Sequence, residues 1–354
     1  MSPEVRLASK TVDLPDTPEA IDAYFVEHKW SDGLPVVPPT EARVRDMLAA
    51  IRRDPQESLG DMPPGWRAAT IEKLAINAVM AGCLSSYFPV IVAAVEAMLD
   101  PAFNLYGVQA TTHPVAPLLI VGGDYARTIG MHWGSGCFGP GHRANATIGR
   151  ALRMILLNVG GAWPGHGDMA TQGQPSKYSY AVAENEPDTP WEPLRVALGF
   201  RPEDSTVTVF GAEGPHNVND HVSTTAAGIL TNCCSVMTTL GSNVGWYMSQ
   251  SQALLVLGPE HAATIARSGF SRRDVQEFCF NHARMALREL RLGGMYGIHE
   301  WPAWMNAIQD EDVRLPIVLS PEDILVMVAG GPGKHSAVVP NCTFSRTVTR
   351  RITI

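Results

Sequence analysis

The chain has no excess of positive charge: 27 Lys and Arg stand against 35 Asp and Glu, a formal net charge of −8 over 354 residues. Its basic residues are scattered rather than grouped, so it cannot neutralise a phosphate backbone and nucleic acid is not expected as a partner. Long hydrophobic runs are missing as well. The most apolar stretches, residues 88–99 and 115–121, fall well short of the roughly 20 residues that cross a bilayer, so no membrane-spanning helix is expected. Residues 1–16 carry charges with no apolar run behind them, which gives no secretory signal and leads to the expectation of a cytoplasmic chain. The cysteines, Cys83, Cys137, Cys233, Cys234, Cys279 and Cys342, form no C-x-x-C pair and no zinc-ribbon spacing with histidine, so reduced and mostly buried thiols are expected. H-E-x-x-H, G-x-S-x-G and the P-loop are absent, which removes the signatures of a zinc protease, a nucleophile elbow and a nucleotide triphosphatase.

What is present is 45% hydrophobic side chains, enough for a large core divided into two or three lobes. Thr17-Pro18-Glu19 opens a helix over about 18–28. The turn-rich run from Trp30 to Thr40 then leads into a helix with Val44, Met47, Leu48 and Ile51 on one face. An apolar helical region at 69–99 is broken near Ser85, Ser86 and Pro89, so two helices are expected there. Residues 115–121, 206–210, 253–257 and 324–328 are short, continuously apolar strands. That character predicts burial on both faces, as in a sheet covered by helices on each side. Helices expected at 143–157, 222–239, 259–268, 272–290 and 303–309 alternate with them, and the fold class is α/β. Residues 118–129 line up with 254–265, and Arg153-Met154-Ile155-Leu156 with Arg284-Met285-Ala286-Leu287, which predicts two pseudo-duplicated α/β halves. The expected division is an N-terminal helical module at 1–60, a first lobe at 61–200 and a second at 201–354.

Chemistry concentrates in glycine-rich segments. Gly130, Gly134, Gly136, Gly139 and Gly141 surround His132, Cys137 and His142 just before Arg143 and Asn145. Backbone N–H groups, a helix N-terminus and these donors suit a carboxylate or phosphate, so His132, His142, Arg143 and Asn145 are expected to bind substrate. The glycines match G-x-G-x-x-G, but the preceding strand ends at Val121, too early for a dinucleotide turn, so a Rossmann cofactor site is not expected and the residues assign no other cofactor. Cys137 beside this helix start is a candidate nucleophile. The aperiodic residues 158–200 read as an ordered functional coil, from which Lys177 and Tyr178 are candidate substrate contacts.

Three further strand ends carry Gly followed by His: residues 214–221, 258–261 and 330–336. If they converge with the first loop, His216, His221, Lys334 and His335 supply acid-base and electrostatic groups, with His261 and Ser336 as binding residues. The competing assignment of His216, Asp220, His221 and His261 is a metal site.

The pieces at 30–40, 75–83, 107–121, 143–150, 214–221, 257–261 and 333–339, including Trp30-Ser31-Asp32-Gly33-Leu34-Pro35 and Gly333-Lys334-His335-Ser336, resemble an uncharacterised bacterial family associated with the UGSC-motif (seleno)proteins. The resemblance implies an enzyme whose partner supplies a redox thiol or selenol, and chemistry at a carbon–heteroatom bond. This chain has no UGSC string of its own, Gly134-Ser135-Gly136-Cys137 being only an echo. Asn341-Cys342-Thr343 departs from the Ser-Phe-Gly expected after Lys334-His335-Ser336. The leading expectation is a lyase or reductive enzyme for a small anionic substrate, working as a homo-oligomer. A metal-dependent hydrolase or lyase, and a non-catalytic subunit of a thiol or selenol redox complex, are the alternatives.

Overall fold

Threonine hydroxyls start the N-terminal helices. Thr17 accepts an N–H from the first turn of α1 (Pro18–Glu27) and Thr40 does the same for α2 (Glu41–Leu48). A short antiparallel hairpin, β1 (Ser58–Met62) and β2 (Arg67–Thr70), delivers Thr70 as the cap of α3 (Ile71–Met80). The computed structural model describes residues 6–243, 251–292 and 303–354. The break near Ser85 is real: a single 3₁₀ turn separates α3 from α4 (Phe88–Met98), and α5 (Leu105–Ala110) follows. No single helix among the described residues is long and apolar enough to cross a membrane.

The remaining elements of the first half are β3 (Ala116–Gly122), α6 (Asp124–Thr128), α7 (Arg143–Asn158), β4 (Ala181–Ala183), α8 (Leu194–Ala197), β5 (Thr206–Ala212) and β6 (His216–Asn219). The second half contains α9 (Ala226–Met237), β7 (Ala253–Leu257), α10 (Pro259–Arg267), α11 (Arg272–His282), β8 (Arg284–Ala286), α12 (Leu287–Leu292), α13 (Ala303–Asn306), β9 (Arg314–Pro316), β10 (Ile324–Val328), β11 (His335–Pro340) and β12 (Val348–Arg351). The fold is mixed α/β. The helix expected over 272–290 ends at His282, because the chain turns extended at Ala283 and residues 284–286 pair with β9. Apolar spacing alone does not separate a buried strand of this length from one more helical turn.

Two four-stranded mixed sheets form the centre, in the orders β12-β5-β3-β4 and β10-β7-β11-β6. Strand alternation explains the layers. Leu119, Val121, Val207 and Val209 face a core shared with α2, α3, α4 and α7, whereas Leu255, Leu257, Val326 and Val328 face one shared with α9, α10 and α11. The intervening residues Leu118, Ile120, Val182 and Phe210 meet Leu254, Val256, Leu325 and Met327 in a third cluster between the sheets. The order of layers is helices, sheet, sheet, helices. The strands are continuously apolar because one face meets helices and the other meets the second sheet, which corrects the expectation of helices on both sides.

The duplication holds at the strands. Leu119 is flanked by Ala181 in parallel and Val209 in antiparallel register; its counterpart Leu255 is flanked by Val326 in parallel and Val338 in antiparallel register. The downstream alignment fails, since Arg153–Leu156 lies in α7 and the matched residues 284–287 lie in β8 and at the start of α12. The edge strands are exchanged: β6, which follows β5, pairs with β11 in the second sheet, and β12, which follows β11, pairs with β5 in the first. The two chains cross at an antiparallel bridge between Ala212 and Asn341, with Glu213 N–H bonded to Pro340 O and Cys342 N–H to Gly211 O. The expected lobe boundary at 200/201 therefore cuts the first sheet, because β5 and β12 lie beyond it. The N-terminal module is no separate unit either, with Phe25, Val44 and Met47 in the first core.

Candidate active site

A cleft of about 360 Å³ lies between the glycine-rich loop of the first half and the strand ends of the second. Residues 135–139 form one wall, residues 329–333 the other, and Val256, Gly258, His335, Ser336 and Ala337 complete it. Glycine is required where these walls approach other backbone. A Cβ on Gly258 would lie 2.2 Å from the carbonyl oxygen of His335, and one on Gly331 would lie 1.8 Å from Ser135 Oγ. Within the loop, the Cys137 and Gly139 N–H groups close turns onto Gly134 and Gly136 carbonyls.

The duplicated topology shows how the corresponding corner differs between the two halves. By strand register Val121 corresponds to Leu257 and Ala183 to Val328, so Glu186 corresponds to Gly331. In the first half the Glu186 carboxylate occupies this corner, accepting the Gly123 N–H at 2.6 Å and pairing with Arg195 at 2.5 Å. The second half has Gly330, Gly331 and Gly333 there, and the Ser135 side chain of the glycine-rich loop packs against Gly331 in place of a carboxylate.

At the cleft, β11 presents successive residues to opposite faces. His335 is exposed: its Nδ1 lies 3.0 Å from Asn217 Oδ1, and its Nε2 lies 3.3 Å from Nε2 of His221. For a hydrogen bond, one of these two facing nitrogens carries a hydrogen and the other a lone pair. Lys334 Nζ donates to the His221 carbonyl at 3.1 Å, placing an ammonium beside the pair. Ser336 points inward and is buried. Its Oγ accepts the Gly258 N–H at 3.1 Å and lies 2.8 Å from His261 Nδ1, while His261 Nε2 meets the Asp220 carbonyl at 3.0 Å. A carbonyl only accepts, so Nε2 carries a hydrogen, and in the tautomer with Nδ1 unprotonated that nitrogen takes the Ser336 hydroxyl hydrogen. Asp220 anchors this corner. Burial alone would raise its carboxyl, but hydrogen bonds from Ser223, Asn232 and Val222 outweigh it and hold the group at about 2.

Six expected residues thus meet at or beside the cleft: Cys137, His221, His261, Lys334, His335 and Ser336. Others are elsewhere. His216 is exposed on β6, with Nδ1 on the adjacent Asn217 carbonyl. Arg143 donates twice to the Gly82 carbonyl, which holds the guanidinium away from the cleft. Asn145 bonds the His132 N–H and the His132 and Cys137 carbonyls, and His132 stacks on His142 at 3.5 Å between ring centres; all three brace the loop rather than face the cleft. Lys177 is paired with Asp168 at 2.5 Å in a separate small pocket, its ammonium pushed down by burial and by Arg153 while Asp168 opposes the shift. Tyr178 is exposed.

Cys137 lines the cleft, but α7 begins only at Arg143 and burial pushes the thiol up to about 11, so it is not an activated nucleophile. Among the described residues no group of three or more His, Cys, Asp or Glu side chains is placed to hold a metal. His216, Asp220, His221 and His261 do not assemble one, because the Asp220 carboxylate and both nitrogens of His261 are engaged by the chain. Asn217 and Gly258, which orient His335 and Ser336, were missed because residues 335–340 were not read as a strand, although the alternating burial of His335 to Val338 is that of one.

Comparisons of the chain with models of known families, with curated proteins and with solved structures give no match. The cleft itself is therefore the basis for a functional reading.

Proposed function

We propose that the chain is an enzyme that binds a small anionic substrate in this cleft and breaks a carbon–heteroatom bond by acid-base catalysis. The observation that carries the reading is the 3.3 Å contact between His221 and His335 beside a cleft whose walls are rich in glycine. Two imidazoles in hydrogen-bond contact offer an acceptor and a donor of protons a short distance apart. Lys334, half-buried beside them, attracts a carboxylate as a point charge. The glycine walls let a small molecule reach main-chain N–H groups, and the cleft's volume suits a metabolite rather than a polymer.

Two measurements test this. Small carboxylates bearing hydroxyl, amino, thio or acyloxy groups are titrated into the protein while the histidine ring signals are followed by NMR. Saturable shifts at His335 are expected, with binding weakened about tenfold or more in Lys334→Ala. The same panel is then incubated with catalytic amounts of enzyme. Replacement of His335 or His221 by Gln is expected to slow turnover of any substrate by on the order of 10²-fold or more. Wild-type rates in both variants would overturn the assignment.

A further inference from the structure

Ser336 has its hydroxyl against a base. Gly258 N–H donates to Ser336 Oγ, His261 Nε2–H donates to the Asp220 carbonyl, and in the tautomer with Nδ1 unprotonated the Ser336 Oγ–H donates to His261 Nδ1. Each link is built by the fold. β7 ends at Gly258 beside the start of β11, α10 carries His261 one turn further on, and the antiparallel pairing of Ser336 with Val218 brings Asp220 to the ring's far side. His261 is buried and Ser336 lines the cleft. A nucleophile hydrogen-bonded to a base, with the base oriented by a third group, is the arrangement from which covalent catalysis is recognised. Nothing in the acid-base reading above uses it.

We infer that Ser336 is a catalytic nucleophile, activated by His261, and that the substrate class of the cleft is a carboxylic acyl compound: an ester, thioester or amide of a small acid. The inference rests on the reading of the cleft as a site for small anions and names the carbon–heteroatom bond as an acyl bond. The steps balance without an oxidant. Ser336 Oγ forms a bond to the acyl carbon as its proton passes to His261 Nδ1. The bond from carbon to the leaving oxygen, sulfur or nitrogen breaks, and the leaving group takes a proton from His261. Water then attacks the acyl-serine, gives its proton to His261 and releases the acid, and His261 returns a proton to Ser336. Gly136 and Gly331, both on the wall, carry N–H groups that bond to no backbone carbonyl among the described residues and remain as donors for the negative charge on the acyl oxygen. His221 and His335 handle protons at the other end of the substrate.

The test is covalent trapping on the full chain. The protein is incubated with a fluorophosphonate probe and, separately, with p-nitrophenyl acetate, and the adduct is located by peptide mass spectrometry. A single adduct on Ser336 is expected, absent in Ser336→Ala and formed on the order of 10²-fold more slowly in His261→Gln. The Gln variant keeps a donor for Asp220 and an acceptor for Ser336, so its fold is checked by an unchanged thermal melt. No adduct on the wild type, an adduct elsewhere, or an undiminished rate in His261→Gln would each overturn the inference. His335→Gln separates the two readings. Turnover lost in that variant with Ser336 never acylated retains the acid-base site and removes the nucleophile; Ser336 acylated with turnover indifferent to His335 does the reverse.

Discussion

Glu184 ends up where a carboxylate is poorly served. One oxygen accepts the Leu194 N–H at 2.7 Å; the other finds no hydrogen-bond partner among the described residues, and the Arg272 guanidinium stands 4.0 Å away. Burial raises the carboxyl to about 7, and the attraction of Arg272 only partly opposes it. The sign of the consequence is fixed. Between 4.5 and about 7 the folded chain holds a proton that the unfolded chain has lost, so stability falls as pH rises through that window. A shift of this size corresponds to roughly 3 kcal/mol. Glu184→Gln mimics the protonated form and is expected to flatten the dependence of melting temperature on pH, matching wild type near pH 4.5 and exceeding it at pH 8. An unchanged slope would show that Glu184 is ionised throughout. The glycines make the opposite kind of prediction, one of geometry. Gly331→Ala sets a methyl against Ser135, whose Cα would lie 2.9 Å away, so the two cleft walls must separate at a cost of about 1–3 kcal/mol, readable in a denaturant melt. At this scale the sequence exposed Lys334, His335, His221, His261 and Ser336, because glycine beside a histidine marks places where backbone is exposed and polar side chains can gather. It misled at Arg143 and Lys177. A cation's residue type does not say which acceptor it will find, and here these were the Gly82 carbonyl and Asp168.

Elements were legible where local rules decide them. Threonine caps and helical spacing located α1, α2 and α3, and unbroken runs of Leu, Ile and Val located β3, β7 and β10. The strands that went unseen, β1, β2, β4, β6, β8, β9, β11 and β12, are short or carry polar residues such as His216, Asn217 and Arg350, and they exist because partners pair with them. Propensity cannot report a partner distant in sequence. The turn-rich segment at 30–37 is a related case: it is held by tertiary contacts rather than by its own pattern. Arg150 on α7 forks onto both oxygens of Asp32, each at 2.8 Å, and reaches the Leu34 and Pro35 carbonyls. The pair is shielded, with the Asp32 side chain 3% exposed. Arg150→Ala strands that carboxylate and is expected to cost about 3–5 kcal/mol. Arg150→Lys should recover only part of it, since an ammonium cannot span both oxygens and two carbonyls. Hydrogen exchange at 31–37 should accelerate in both variants, more in the first.

At the scale of the whole molecule the duplication was visible in the repeated strand-helix unit, but the exchange of edge strands was not, because it is a property of pairing between segments more than a hundred residues apart. It changes what the halves are. Each sheet borrows its edge from the other repeat, and the cleft borrows as well: His221 follows β6, whereas His335 opens β11. A chain divided at residues 222 and 223, where Val222 is 86% exposed, separates all of these partners. Residues 1–222 would retain β3, β4 and β5 but lose β12, leaving β5, a fully buried strand, paired with β3 alone and open along its other edge. Residues 223–354 would retain β7, β10 and β11 but lose β6. Independent domains would survive such a cut separately. Exchanged halves should not, since an apolar edge left open invites aggregation and the central cluster of Leu118, Ile120, Leu254 and Val256 needs both sheets. Each fragment alone is therefore expected to lack a cooperative melt by circular dichroism. The two mixed in equal amounts are expected to co-elute at the size of the intact chain and to recover the His221–His335 contact, seen as restored carboxylate-induced shifts at His335. A cooperative melt in either isolated fragment would mean that its sheet closes without the borrowed strand and that the exchange is not needed to hold the fold.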